Sequence, residues 1–372
     1  MPDFELVCPC LLGVEGLVAE DLRDNGLQNV RPENGRVLFD GSPEAIARAN
    51  LTCRYAERVL ILLKTFQATT FEELFQGVRS IPWHEYIGCA DAFPVKGRSL
   101  TSKLSSVPDC QAIIKKAIVE KLKENYNVSW FEESGAVFQV QFLIMKDQVS
   151  VMLDTSGVGL HKRGYRKKST VAPIRETLAA VLAKLARVRS DGNFIDPFCG
   201  SGTILIEAAS YALNIAPGIK RSFAAEAWNI VDKKIWETQR ERVNDEIKRD
   251  AVFHGTGYDI DPNAVELALL NAKKAGIAKK VEVKQRSIDD FALDNEYGCV
   301  VCNPPYGERL LDAEQARKLY RTMGNVFERR HGWSYTVISP DEDFEKLFGR
   351  QADKRRKLYN GMIKCQAYMY FK

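Results

Sequence analysis

Three short stretches of this chain hold residue types that could bind a ligand or do chemistry. The last of them is Asn303-Pro304-Pro305-Tyr306, which abruptly ends the apolar run Tyr297–Cys302. An apolar run stopped by two prolines reads as a buried strand whose ladder is cut off, because proline offers no N–H. The residue before a proline is pushed to extended backbone, so Asn303 and Pro304 are both expected to be extended. That leaves a rigid turn carrying one amide side chain, carbonyls without internal partners and one aromatic ring. Open parallel sheets bind ligands at the C-terminal ends of their strands. Taken alone, a proline-stiffened loop explains these four residues equally well.

The first stretch is Asp196-Pro197-Phe198-Cys199-Gly200-Ser201-Gly202-Thr203, placed after an expected strand and before an expected helix. Gly200 and Gly202 permit tight turning and let a ligand approach the backbone closely. A dinucleotide loop wants a third glycine and a Walker loop a lysine after the second; neither is present. The loop suits a cofactor without phosphates, with Asp196 as partner to an amine, although a tight connection between strand and helix is the plain alternative. One β-α-β unit later comes Gly257-Tyr258-Asp259-Ile260-Asp261-Pro262. An acid ending the second strand is where a ribose diol would be gripped, and Asp259 is the candidate. Asp261, before Pro262, fits a helix cap instead. Three strand ends in order, each with a ligand-competent group, are hard to explain as packing.

Elements must hold these stretches in place. At 372 residues two or three domains are expected. From Pro173 onward short apolar strands alternate with helices, the pattern of a parallel sheet covered on both faces. Earlier, the order strand, helix, strand, strand, helix, strand over Phe4–Phe66 describes a split β-α-β unit, with Asn34-Gly35 as its hairpin turn. A second mixed region follows. It has a helix over Phe71–Val78, a short strand at Ala92–Val95, a long amphipathic helix over Pro108–Tyr126, and alternating strands that turn at Lys146-Asp147.

The net charge of +4 does not by itself argue for nucleic acid, but its distribution is uneven. His161–Lys168 carries five Lys or Arg and no acid, Lys354–Lys357 is a second basic run, and Lys96, Arg98 and Lys103 form a looser one. A solvated face explains any one of them. The position of the first, at a domain junction, makes a groove a stronger alternative there without displacing the solvated face. No apolar run is long enough to span a membrane and no signal pattern opens the chain, so a cytoplasmic location is expected. Nine cysteines, mostly within apolar runs, read as reduced buried thiols. Cys8/Cys10 and Cys299/Cys302 lack the second pair that a structural zinc site needs, so no metal is expected.

The motifs D-P-F-C-G-S-G-T, G-Y-D-I-D-P and N-P-P-Y-G-E-R-L together resemble S-adenosylmethionine-dependent amino-methyltransferases. More closely, the chain is similar to the THUMP-domain RNA methylases, above all to the N-terminal half of the fused bacterial 23S ribosomal RNA guanine-N2 methyltransferase. Leu160–Arg166 (L-H-K-R-G-Y-R) followed by Ala172–Ala180 (A-P-I-R-E-T-L-A-A) is typical of that group. The resemblance implies an α/β fold: a Rossmann-like class I methyltransferase with a mostly parallel seven-stranded sheet, preceded by an α+β region. The implied division is a ferredoxin-like domain at 1–63, a THUMP RNA-binding domain at 64–157 and the methyltransferase at 158–372.

It further implies S-adenosyl-L-methionine as cofactor, held by Asp196, Phe198, Gly200, Gly202, Thr203 and Asp259. The acid that meets the adenine in many relatives falls on Ser287 here, which leaves Asp290, or Asp289, as its substitute. A first-turn helix acid explains Asp290 as well. The implied catalytic residues are Asn303, Pro304, Pro305 and Tyr306. The Asn303 side-chain and Pro304 main-chain carbonyls would accept the N–H bonds of an exocyclic amine, and Tyr306 would stack on the base. Lys162, Arg163, Arg166, Lys167 and Arg309 would hold RNA phosphates. The expected partner is RNA, 23S ribosomal RNA or a ribosomal precursor particle. Adenine-N6 methylation of RNA or DNA, and a catalytically silent RNA-binding protein, are the competing expectations.

Overall fold

The computed structural model describes residues 4–166, 174–306 and 313–371. Strand β1 (Phe4–Pro9), helix α1 (Glu15–Asp24), strands β2 (Gln28–Glu33) and β3 (Arg36–Gly41), helix α2 (Pro43–Thr52) and strand β4 (Leu60–Gln67) follow the expected order. They pair as β2-β3-β1-β4, the ferredoxin-like arrangement. The β2–β3 turn takes Gly35 to φ +74, a backbone that glycine adopts without Cβ strain. Ser42 precedes α2 as expected, yet its hydroxyl donates to the Glu44 carboxylate at 2.5 Å and does not cap the helix.

The second unit comprises α3 (Phe71–Arg79), β5 (Val95–Leu100), α4 (Val107–Tyr126), β6 (Val140–Met145) and β7 (Gln148–Asp154). Thr70 and Glu73 close a reciprocal capping box on α3. The β6–β7 turn puts Lys146 and Asp147 at φ +52 and +62, as a two-residue hairpin requires. The strand expected at Ala92–Val95 is instead a single bridge from Ala92 to Val137, and the true strand is the basic stretch after it. Lys96 and Arg98 point outward from β5, which lies at the sheet edge, and charges are tolerated there because they also block pairing with other strands. Antiparallel pairing of β4 with β7 joins the two units into one seven-stranded sheet.

The remaining chain supplies α5 (Glu176–Leu185), β8 (Asn193–Asp196), α6 (Thr203–Ala212), α7 (Lys233–Asp245), β9 (His254–Asp259), α8 (Pro262–Ala275), β10 (Val281–Gln285) and β11 (Gly298–Cys302). It ends with α9 (Ala313–Val326), β12 (Trp333–Ser339), α10 (Phe344–Phe348), β13 (Lys354–Asn360) and β14 (Ile363–Tyr370). The second sheet has the order β10-β9-β8-β11-β12-β14-β13, parallel except where β14 runs against both of its neighbours. The chain leaves β8 toward β10 and returns to β11 on the other side. That reversal opens a crevice beyond the C-terminal ends of β8 and β11.

Helix α7 has no counterpart in the sequence reading. Its segment is strongly polar, with Trp236, Gln239 and Val243 as its buried residues. It packs against α2 of the first unit, where the nearly buried Arg48 guanidinium meets Glu246 at 2.7 Å. Buried apolar side chains form one cluster that runs from Leu6 and Phe39 of the first sheet to Leu205 on α6 and Ile338 of the second sheet. An aromatic cluster of Tyr320, Phe327, Tyr335, Phe344, Phe348, Tyr368 and Tyr370 fills the space between the second sheet and helices α9 and α10. Among the described residues, no helix is long and apolar enough to cross a membrane.

Candidate active site

Register alone gathers the three stretches. Ile195 pairs with Val300, so Asp196 ends β8 beside the final turn of the β11 strand; Asp196 also pairs with Gly257, so Asp259 lies just beyond on the other side. The strands are parallel, and all three ends therefore face the same crevice.

Asp196 is buried, and its Oδ1 accepts the Phe198 N–H at 3.2 Å. Its Oδ2 is buried with no hydrogen-bond partner among the described residues. Burial pushes this carboxyl up to about 8; the Phe198 N–H opposes the shift and the nearby Asp259 adds to it. A buried acceptor left open at a strand end is what a cationic amine would complete. The following loop stays low over the sheet: the Cys199 N–H donates to the Tyr258 carbonyl at 2.8 Å, and Asn271, fully buried on α8, donates to the Ser201 carbonyl at 3.0 Å. Gly200 and Gly202 take φ +52 and +80. A Cβ on Gly202 would come within 3.1 Å of the Ala268 Cβ, so glycine is needed there for packing as well as for turning.

Asp259 is fixed from two sides, its Oδ2 accepting the Gly200 N–H at 2.9 Å and its Oδ1 the Asp261 N–H at 3.0 Å. Asp261 caps α8 as expected, through the Asn263 N–H at 2.9 Å. Phe198 is partly exposed and packs against the aromatic cluster. Thr203 is buried at the first turn of α6. Asp289 is engaged with Ser287, which donates to its carboxylate at 3.1 Å and accepts its N–H. Asp290 beside it is exposed.

At the third strand end, Pro304 is buried while Asn303, Pro305 and Tyr306 are partly exposed. The Asn303 Oδ1 is buried without a hydrogen-bond partner among the described residues. The Tyr306 hydroxyl accepts the Asn360 Nδ2–H at 2.7 Å and lies 3.7 Å from the Cys365 Sγ. Burial raises this hydroxyl above the usual tyrosine range, so it stays protonated.

The basic run is corrected in part. Arg163 is buried, donating to the carbonyls of Leu160 and Arg54 at 2.7 and 2.5 Å, so it cannot meet a phosphate. Arg166 turns inward to Glu176 at 2.8 Å, to the Ile174 carbonyl at 3.0 Å and to the Thr203 Oγ1 at 3.1 Å. It braces the starts of α5 and α6 and does not form part of a phosphate surface. Consecutive cations in a sequence do not reveal that the chain alternately buries and exposes them. Lys162 is exposed. Lys167 and Arg309 lie outside the described residues. Among those residues, no group of three or more His, Cys, Asp or Glu is placed to hold a metal.

A cavity of about 760 Å³ lies elsewhere, between the first unit and the methyl-transfer sheet. It is lined by Arg54 after α2, Asp191 before β8, and Lys184, Asn214 and Glu246 at the C-terminal ends of α5, α6 and α7. That is the opposite edge of the sheet. Its cations are largely spent on neighbours: Arg54 on the Ile215 carbonyl and Lys184 on Glu20. Convergent strand-end chemistry, not cavity size, therefore selects the site.

Comparison with known proteins agrees with this architecture. The model of the RMKL-like methyltransferase domain matches residues 163–369, that of the RlmL ferredoxin-like domain residues 5–60, and that of the THUMP domain residues 68–154. The chain is 44% identical, over its whole length and 97% of the relative, to YpsC of Bacillus subtilis (strain 168), named as a candidate RNA methyltransferase. It is 32% identical over 95% of its length to the ribosomal RNA large subunit methyltransferase K/L of Syntrophotalea carbinolica, of which it spans 52%. Among solved structures it resembles a predicted N6-adenine-specific DNA methylase of Listeria monocytogenes str. 4b F2365, with TM-score 0.94, 45% identity and 100% and 96% of the two chains covered. It is equally similar to SMU.472, a methyltransferase candidate complexed with SAH, with TM-score 0.94, 43% identity and coverage of 100% and 98%. A ferredoxin-like unit, a THUMP unit and a class I methyltransferase sheet with its ligand-competent strand ends thus stand in one chain, which belongs to the RMKL-like methyltransferase family.

Proposed function

We propose that this protein transfers a methyl group from S-adenosyl-L-methionine to the exocyclic amine of an RNA base, guanine N2 of large-subunit ribosomal RNA. The observation that carries this reading is the pair of open, buried acceptors, Asp196 Oδ2 and Asn303 Oδ1, at neighbouring strand ends. The residues fit the cofactor: Asp196 would receive its amine, the Gly200–Gly202 loop would leave room for its chain, and Asp259 would meet its ribose. When bound, the cofactor supplies a methyl group on a cationic sulfur.

An exocyclic amine is a weak nucleophile because its lone pair is delocalised into the ring. Two acceptors, the Asn303 side-chain oxygen and the Pro304 carbonyl, would draw its N–H bonds into a pyramidal arrangement and free the lone pair. Nitrogen and methyl must then be held about 3–3.5 Å apart and in line. The amine nitrogen held by these acceptors would take up the methyl and release one of its own protons to water. Tyr306 stacking on the base is worth roughly 1–3 kcal/mol. A paired base must leave its stack to reach such a pocket, and the THUMP unit would present the RNA.

Adenine-N6 transfer is the second reading, favoured by the name of the Listeria neighbour. Methylating unmodified ribosomal RNA with labelled cofactor and identifying the nucleoside separates the two. N2-methylguanosine is expected; N6-methyladenosine would overturn the guanine assignment. Asn303→Ala is expected to lower turnover at least about 100-fold, the scale of losing one transition-state contact, while SAH affinity by calorimetry stays unchanged. Undiminished turnover would refute the acceptor role.

A further inference from the structure

The Asn303–Tyr306 turn is held from a second, distant part of the chain. Asn360 is the last residue of β13, and the Tyr306 hydroxyl accepts its Nδ2–H at 2.7 Å, with the Cys365 Sγ at 3.7 Å on the same oxygen. We propose that Asn360 is a positioning residue for methyl transfer, fixing where the Tyr306 ring sits as it receives the base. The inference rests on the base-stacking reading of Tyr306 given above.

The argument is geometric. At its near end the ring hangs from a backbone stiffened by Pro304 and Pro305, whose φ angles are set by their own rings. That leaves two side-chain torsions free, and rotation about either turns the stacking face. A hydrogen bond to the hydroxyl oxygen at the far end fixes the first torsion and with it where the ring sits; the second turns the ring about an axis through that same oxygen, and the bond biases it only through the in-plane lone pairs of the phenol. The tether is itself on a rigid element. Leu358 and Cys365, paired across β13 and β14, are both buried in the main core. Arg356 of the same strand donates to the Gly13 carbonyl at 2.5 Å, and Arg355 is paired with Glu345. The bond is also directional: the amide donates and the neutral hydroxyl accepts, and the hydroxyl keeps its own proton, free to point at the Cys365 sulfur. Nothing in the N-P-P-Y motif announces this partner, which lies 54 residues away.

The experiment is a double-mutant cycle on the full-length protein with unmodified ribosomal RNA. Asn360→Leu, close in size but with no donor, is expected to lower kcat about 5-fold, the size of one neutral hydrogen bond. SAH affinity should not change. Tyr306→Phe should cost a similar factor, and the double variant no more than either single one, because both remove the same contact. Asn360→Ala should behave as Asn360→Leu, which separates loss of the donor from a clash. Multiplying effects in the double variant, or a kcat for Asn360→Leu equal to wild type, would overturn the inference. So would equal losses of kcat and SAH affinity, the mark of a hairpin that merely supports the fold. Tyr306→Ala tells the two levels apart. If it is inactive while Asn360→Leu is normal, only the tether fails; if it turns over normally, the stacking reading fails and the tether with it.

Discussion

At the residue scale the informative feature of this chain is unsatisfied polarity. Among the described residues, Asp196 and Asn303 each keep a buried oxygen without a partner, where most buried acceptors are paired. For Asp196 this has a pH signature. Its folded carboxyl is raised to about 8 from 3.8, so the folded protein holds a proton there that the unfolded chain releases near pH 4. The associated stability is fully present below pH 4 and is lost as pH rises through about 8. If Asp196 receives the cofactor's cationic amine, as proposed, binding would reverse the shift and would expel a proton near pH 7. Calorimetry of SAH binding in buffers of different ionisation enthalpy should show uptake of close to one proton by buffer at pH 6.5–7 and almost none above about pH 9. Asp196→Asn should abolish the release and weaken SAH at least about 10-fold. Proton release that survives this substitution would move the role to another group.

At the element scale, the linker between THUMP unit and methyltransferase sheet acts as a brace. Arg166 joins the Ile174 carbonyl, Glu176 at the start of α5 and Thr203 at the start of α6, so one side chain fixes two helix starts beside the Gly200–Gly202 loop. The Glu176 carboxyl is buried and already raised by that burial, with Arg166 pulling against it. Arg166→Ala removes the only ion pair shown for Glu176 among the described residues. Breaking a buried pair from one side costs roughly 3 kcal/mol. The expected outcome is a lower melting temperature and SAH affinity weakened about 10-fold, with the slope of RNA affinity against salt unchanged. A phosphate contact would instead show that slope reduced by about one.

At the scale of the whole molecule the three units share one core. The first sheet is continuous across β4 and β7, and the same apolar cluster reaches into the second sheet. Contacts between units are buried and polar as well as apolar. Asn50 donates to the Thr155 Oγ1 at 2.8 Å, and the Gly218 N–H donates to the Leu51 carbonyl at 2.8 Å. A Cβ on Gly218 would lie 2.7 Å from both the Asn50 carbonyl oxygen and the Leu51 Cα. Unfolding is therefore expected as one transition, with scanning calorimetry and tryptophan fluorescence coincident. Gly218→Val should lower that single transition by several degrees and not split it. Two separated transitions in the wild type would show that the shared core does not couple the units.

The strands that carry the site were legible because their patterning is local: apolar runs punctuated by Asp-Pro, Gly-x-Gly and Asn-Pro-Pro report backbone geometry residue by residue. The α/β alternation after Pro173 and the split β-α-β order before it were legible for the same reason. Helix α7 was not, since its buried stripe is three residues in a polar segment, covered by distant parts of the chain such as α2 and Phe223. The inward turn of Arg163 and Arg166 was also hidden, because a cation reads the same whether its partner is water, phosphate or a buried carboxylate.

The residue types at the three strand ends, and hence the class of ligand they can meet, were determined by the sequence itself, through proline, glycine and carboxylate chemistry that acts over a few bonds. Only the tertiary structure decided which of them remain open. Asp259 is partly spent on the loop, Asp196 and Asn303 each keep a free oxygen, and Tyr306 is tied at its far end to Asn360. That difference has one physical cause. Hydrogen-bond satisfaction in a buried site depends on which distant segment packs there, and strand register sets that packing where local sequence does not.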